Sequence, residues 1–335
     1  MRSLIKYLPG LFILLLLSCK EEVLVDGRIV KSFDGEVVFT LPNDSLELFP
    51  KRPLLTEHGL FVYDRSDGKI KLIDIKQNKI IRSYGGRGRG PGEHEGFWRL
   101  DVMGDTLGMV DGNLFRVTLF DIKTSDVIAT IPVNRDPDNV FLLKDGFMIT
   151  ALGADSLLNL YSTTSDTAIS SASVLNLRVR STYVLSMQGD FTSRNRNSEI
   201  IYLPAYDNRV FVFNVKNQKL TRGFHFSTFD TTTFEPSFRK GPQGQGQMFV
   251  APNPETFSVG GVYDNGRLYR FSASHDRAED KRRYYYIDIY DSDLKYSYSI
   301  DMIGERPYPQ SVTIHENTMC FMMGLENLRC YKMNW

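Results

Sequence analysis

The sequence predicts an all-β fold: a six-bladed β-propeller of four-stranded antiparallel blades, closed by an N-terminal strand. Three observations carry this. First, a phrase of strand, polar turn and strand recurs along the chain. Its clearest copy is Lys71–Tyr84, repeated at Leu119–Val133, Val212–Phe226 and Tyr286–Met302, with a polar, weakened copy at Leu160–Val174 and only the first strand of a copy at Leu328–Trp335. Second, the central polar residues of the phrase, Asp74, Asp121, Ser162, Asn214, Asp288 and Lys332, lie 47, 41, 52, 74 and 44 residues apart. A period in the forties built from short alternating strands marks propeller blades. Third, the sequence ends just after the third strand of the last blade. That leaves an unpaired edge, which is an aggregation hazard unless other residues fill it.

Taken in order, Arg28–Ser32 and Glu36–Leu41 read as strands flanking an Asp34-Gly35 turn, and one of them is expected to complete the last blade. Blade one takes Leu46–Thr56, Gly59–Asp64 and the two strands of the first phrase. Blade two takes Trp98–Met103, Thr106–Asp111, Arg116–Ile122 and Val127–Val133. Blade three takes Asn139–Leu143, Phe147–Leu152, Leu157–Tyr161 and Ala168–Val174; blade four takes Tyr183–Gly189, Glu199–Ala205, Arg209–Val215 and Leu220–Phe226. Blade five takes Thr256–Tyr263, Arg267–Ser274, Tyr284–Tyr290 and Tyr296–Met302, and blade six Ser311–His315, Thr318–Met323 and Leu328–Met333. Asp67-Gly68, Asp111-Gly112, Asp145-Gly146 and Asn265-Gly266 supply turns between strands. Nothing reads as a long amphipathic helix. Two connections break the rhythm, Gly85–Gly96 and Ser227–Glu255, and structureless connections of that length are functional loops or inserts.

Forty basic residues balance forty acidic ones. No global field therefore favours nucleic acid or an acidic membrane surface, and no nucleic-acid partner is expected. The first nineteen residues stand apart: Arg2 and Lys6 precede an apolar core, Leu8 to Leu17, too short to span a bilayer as a helix. This is a signal peptide over residues 1–19, followed by a charged tether over 20–27 and the propeller over 28–335. Beyond Cys19, only Cys320 and Cys330 remain, in two strands flanking a turn. A hairpin register brings them near each other in an oxidising compartment, but cross-strand geometry often suits a disulfide poorly, so a bridge and two buried thiols both stay open.

Leu16-Leu17-Ser18-Cys19 resembles the bacterial lipobox, which implies acylation of Cys19 and a membrane partner through the lipid anchor. The following Lys20-Glu21-Glu22 resembles the surface-export signal of lipoproteins in one Gram-negative phylum. Tyr84-Gly85-Gly86-Arg87-Gly88-Arg89-Gly90-Pro91-Gly92-Glu93, with Phe97 after it, resembles the Gly-rich connector of NHL-type six-bladed propellers; Lys240–Phe249 is a fainter copy, and most blades lack it. With the lipobox, the whole chain resembles the six-bladed β-propeller lipoproteins called TolB-like or NHL-like. That resemblance implies an outer-membrane, surface-facing protein.

Candidate chemistry is sparse. The Gly-rich connector offers backbone N–H groups beside Arg87 and Arg89, but a phosphate loop should open a helix, and here a strand follows. Asp64, Asp111, Asp207 and Asp276, at second-to-third strand turns, are the candidate ligands for Ca²⁺, as in lactonase-like propellers; the competing reading is that such residues cap β-turns. The five histidines form no HExxH or i, i+4 pair, and no G-x-S-x-G elbow occurs. The best binding candidates are basic and aromatic residues on the connectors and the blade-five turn: Arg87, Arg89, His94, Trp98, Phe238, Arg239, Lys240, His275 and Arg277. The expected function is a non-catalytic binding or scaffold module for a protein or glycan, without a resident cofactor. The alternative is a Ca²⁺-dependent hydrolase or lyase of the lactonase-like type.

Overall fold

The computed structural model describes residues 23–25, 27–43, 45–151, 156–164, 167–172, 189–205, 209–225, 237–240, 246–249, 256–275, 283–302, 309–324 and 327–334. Among them there is no helix, and the strands assemble into six antiparallel blades. Blade one is Pro50–Thr56, Gly59–Asp64, Lys69–Asp74 and Lys79–Tyr84; blade two is Phe97–Met103, Thr106–Asp111, Arg116–Asp121 and Val127–Pro132. Blade three is Pro137–Leu143, Gly146–Ala151, Leu158–Ser162 and Ser170–Ala172; blade four is Gly189–Asn195, Glu199–Pro204, Arg209–Asn214 and Lys219–His225. Blade five is built on Thr256–Asp264, Arg267–His275, Arg283–Tyr290 and Tyr296–Asp301.

Blade six shows how the ring closes. Its own Pro309–His315, Thr318–Met323 and Asn327–Met333 are joined by Gly35–Leu41, which pairs antiparallel with the last of them, Leu41 opposite Leu328 and Phe39 opposite Cys330. The edge that the sequence leaves open is thus covered by the chain's own beginning. Arg28–Ser32 does something the sequence did not suggest. It adds to blade five as a fifth strand, parallel to Tyr296–Asp301, and Val23–Val25, inside the expected tether, pairs with it in turn. Arg28 is bolted there: its Nε donates to Asp288 Oδ1 at 3.1 Å, and Ser299 Oγ donates to the same oxygen at 2.6 Å, all three groups buried.

The core lies between blades. Apolar clusters fill each of the six gaps; Phe61, Leu72 and Tyr84 meet Leu107, Met109 and Phe120 between blades one and two, for example. Second and third strands are therefore covered on both faces, which is why Lys69–Asp74 and Thr106–Asp111 read as near-continuous apolar runs. Outer strands such as Lys79–Tyr84 are largely exposed. Inner strands are also stitched sideways: Leu55 N donates to Thr313 Oγ1 (2.8 Å), Tyr263 N to Thr192 Oγ1 (2.7 Å) and Leu142 N to Asp101 Oδ2 (2.6 Å).

Three readings need correction, and one that stayed open is answered. The inner strand of blade four is Gly189–Asn195, not Tyr183–Gly189. It carries Asp190, Arg194 and Asn195, because an inner strand borders the channel and lacks the alternation that a half-buried strand shows. The connection after blade four is not structureless: Ser237–Lys240 and Gly246–Phe249 pair as two antiparallel strands. In blade five the turn-capping role belongs to Asp291, whose Oδ1 accepts from Asp293 N and Lys295 N, as Asp74, Asp121 and Asn214 do in theirs. Asp288 sits three residues earlier, mid-strand, as the buried partner of Arg28. Finally, Cys320 and Cys330 are register partners and are joined as a disulfide rather than held as two thiols, with Cα atoms 4.0 Å apart.

Candidate functional site

Alternating strand direction puts the blade-to-blade connectors, the second-to-third strand turns and the starts of the inner strands on one face. Near that face five of the six inner strands slip register, at Lys51/Leu54, Phe97/Arg99, Pro137/Asn139, Ser258/Gly260 and Pro309/Ser311. Bulges of this kind re-aim side chains beside sites. Arg52 and Asp138 lie within two of these slips, and Arg52 takes a positive φ of 52°.

The channel mouth they surround is a cavity of about 100 Å³, bordered by Arg52, Arg99, Asn139, Asp190, Gly261 and Ser311 from the six inner strands. It is charged and self-compensating. Arg99 pairs with Asp190 at 3.0 Å. Burial, and then the neighbouring Arg99, push the Arg52 guanidinium down to about 10, against the pull of Asp138 and Asp190. Burial raises the Asp138 carboxyl, with Arg99 and Arg52 opposing. Deeper in, Leu54, Leu100, Val140, Phe141, Val262 and Val312 narrow the channel with apolar side chains. Among the described residues no three His, Cys, Asp or Glu groups come within reach of one metal ion.

Beside the mouth opens a cleft of about 400 Å³, lined by Phe49, Lys51, Tyr63, Arg65, Ser66 and Arg87. Three devices hold it. Asp64, 2% exposed, accepts from Phe49 N (3.3 Å), Ser66 N (3.0 Å) and Ser66 Oγ (2.8 Å), tying the segment before blade one to its second turn. His94, 1% exposed, uses Nε2 to donate to Gly68 O at 2.8 Å. Arg87 Nη2 donates to Arg65 O at 2.8 Å, while its aliphatic stem lies on Gly68, whose φ of +70° and lack of Cβ permit that approach. Tyr63 is stacked on Phe97 (4.4 Å between centroids) and touches the His94 ring edge-on, so one wall is rigid. Partial burial pushes the Lys51 ammonium down, and the neighbouring Arg52, Arg65 and Arg99 push it further the same way.

The Gly-rich connector is braced on itself. Gly90 N donates to Glu93 Oε2 (2.7 Å), Gly88 N to His94 O (3.1 Å), and Arg116 donates to the carbonyls of Arg89, Gly90 and Glu93. Arg89 pairs with Glu95 at 2.6 Å. Asp111, fully buried, accepts from Glu95 N, Gly96 N, Asn113 N and Leu114 N at 2.9–3.1 Å and so anchors the connector's end to the blade-two turn.

Of the residues singled out from sequence, Arg87 and His94 build the cleft, Arg89 braces the connector, and Asp64 and Asp111 tie loops through backbone amides. Trp98, Phe238, Arg239, Lys240 and His275 lie on strands whose side chains at these positions are outside the described residues; Cys19, Asp207, Asp276 and Arg277 also lie outside them. Sequence reasoning missed Lys51, Arg52, Arg65, Phe49 and Tyr63. The available signal was Phe49-Pro50-Lys51-Arg52-Pro53, a basic pair between prolines at the opening of an inner strand. A second groove, about 690 Å³ and mixed in charge, lies on the opposite face between blades six and one, with His58, Glu57, Asp74, His315, Glu316 and Lys332.

No protein-family model and no curated protein matches the chain. Solved structures do. A member of the DUF4221 family from Bacteroides vulgatus superposes with a TM-score of 0.61 at 9% identity, covering 91% of this chain and 99% of that one. A protein from Bacteroides fragilis, provisionally described as exported, gives 0.57 at 11% identity over 94% and 98%. At such identities the likeness concerns the fold.

Proposed function

We propose that this chain is an exported, lipid-anchored binding module of the cell envelope, related to the TolB-like and NHL-like propeller lipoproteins, whose connector face docks a protein or glycan without covalent chemistry. The observation that carries this reading is the braced cleft beside the channel mouth: basic and aromatic side chains converge there, and the loops presenting them are locked by Asp64, His94 and Asp111. Rigid presentation of a cation–aromatic set lowers the ordering cost of binding. The lipobox-like Leu16–Cys19, the signal-like leader and the exported description of a structural neighbour support the envelope location, with the outer membrane as the anchoring surface.

Affinity capture from envelope extracts with the purified chain, alongside the Arg65→Ala and Lys51→Ala variants, tests the reading. The expected result is a partner or glycan retained by wild type and lost with the variants, and no divalent metal in stoichiometric amount. A stoichiometric metal with nothing captured would overturn it.

A further inference from the structure

We infer that the cleft between Phe49, Lys51, Tyr63, Arg65, Ser66 and Arg87 is a subsite for one acidic sugar residue, its carboxylate held by Lys51 and Arg65 and its ring laid against Phe49. The inference rests on the connector-face reading above and deepens it.

The charge comes first. Among the described residues, all three ionisable groups lining the cleft other than Tyr63 are cations, and no carboxylate lines it. The nearest acid in sequence, Asp64, is buried, and its Oδ1 is occupied by Phe49 N, Ser66 N and Ser66 Oγ. The channel-mouth acid Asp190 is paired with Arg99. Arg87 is engaged through Nη2 with a carbonyl and so serves as wall. Lys51 and Arg65 are exposed to solvent. A cation pair of this kind favours an anion.

The shape selects among anions. Phe49 is 46% exposed, although its backbone is fixed on both sides: its N–H goes to Asp64 and its C=O receives Arg65 N at 3.0 Å. An aromatic ring kept in water by a fixed backbone is suited to the apolar face of a pyranose. Opposite it, the Tyr63 ring is backed by Phe97, and Ser66 adds a hydroxyl at the rim. The space, about 400 Å³, falls within the range of small-ligand pockets and admits a sugar ring with its carboxylate. An acidic peptide would prefer an extended groove, and this cleft is a compact space of about 400 Å³ closed by six residues.

Isothermal titration of the purified chain with a tetrasaccharide of alternating glucuronate and N-acetylglucosamine, its carboxyl-reduced neutral counterpart, and hexaglutamate tests the inference. The expected result is binding of the acidic tetrasaccharide that weakens about 10-fold or more in Arg65→Ala and in Lys51→Ala, as loss of a charge-assisted hydrogen bond requires. Phe49→Ala should weaken it as well, and the neutral sugar should bind at least 10-fold less tightly. Both side chains reach solvent, so circular dichroism of these two variants should match wild type. Equal binding of the neutral sugar, binding of hexaglutamate in its place, or no binding of any probe would overturn the inference. Failure here with a partner still captured through the connector face would leave the broader reading standing. Binding of the sugar unaffected by all three variants would place it elsewhere and sink both.

Discussion

Replacing Asp111 separates a loop-locking carboxylate from a metal ligand. The group is fully buried, and Oδ1 accepts three backbone amides (Gly96, Asn113, Leu114) while Oδ2 accepts one (Glu95). Each hydrogen bond to a charged group contributes about 1.5–3 kcal/mol, but four bonds to one carboxylate are not additive, and some orphaned amides will find water. Asp111→Ala should therefore cost about 3–5 kcal/mol. Asp111→Asn keeps the three bonds to Oδ1 and sets an NH₂ against Glu95 N; it should cost about half as much. For a chain of this length the unfolding entropy converts those costs to a fall in Tm of roughly 5–8 °C for alanine and 3–4 °C for asparagine. The assay is differential scanning calorimetry, repeated in EDTA and in millimolar Ca²⁺. Neither addition should move the wild-type Tm or the order of the variants. A wild-type Tm that rises in Ca²⁺ and no longer does so in Asp111→Ala would refute the locking argument and restore the metal reading. An alanine variant within about 1 °C of wild type would refute it too.

Gly260→Ala should destabilise by about 2–3 kcal/mol in chemical denaturation, because φ is +127° and a Cβ there would lie 2.1 Å from Asp190 Oδ2, breaking the Arg99 pair; an unchanged midpoint would contradict the described contact. His94 is held below its ordinary value of 6.5 chiefly by burial, with its bond to Gly68 O opposing. The unfolded chain therefore takes up the proton first as pH falls, and the stability His94 contributes is complete above that value and lost as pH drops through it toward the depressed one. Thermal melts from pH 7.5 to 5.5 should show wild type losing more than His94→Gln; parallel losses would refute the assignment. Reducing the Cys320–Cys330 bridge, which closes a separation of 10 residues, should cost about 2–3 kcal/mol and lower Tm by roughly 3–5 °C. No shift with dithiothreitol, with thiol titration confirming reduction, would show that the bridge does not constrain the unfolded chain.

Blade number and strand order were legible because they rest on composition at strand scale. Middle strands such as Thr106–Asp111 must be apolar on both faces, and turns such as Asp121–Asp126 need side-chain acceptors, so both leave a trace. Inner strands leave little. Gly189–Asn195 borders the channel, and beyond its pairing with Glu199–Pro204 it takes further partners from other blades, as with Asn139 Nδ2 donating to Gly189 O at 3.0 Å. The candidate cleft was hard to read for the same reason. Phe49, Tyr63, Arg65 and Arg87 are spread over 39 positions and meet only because Asp64 and His94 fasten two loops to one turn. Asp64 and Asp111 were noticed for the right property, a carboxylate at a turn, but local side-chain-to-backbone bonding gave them a mechanical role. The parallel strand Arg28–Ser32 was legible as a strand and not as a neighbour, since nothing in its alternation names the blade it joins.

That parallel strand changes how the ring meets tension from its N-terminal side. A pull on the chain ahead of Arg28 reaches blade five's flank before it reaches Gly35–Leu41, whose seven residues hold the circle shut. To get there it must peel away the short Val23–Val25 strand, withdraw a guanidinium from a carboxylate enclosed by serines, and slide a strand along a parallel neighbour. The closing strand therefore sits behind a sacrificial clasp, and a tug that would otherwise unzip the propeller is first borne by a blade that the closure does not need.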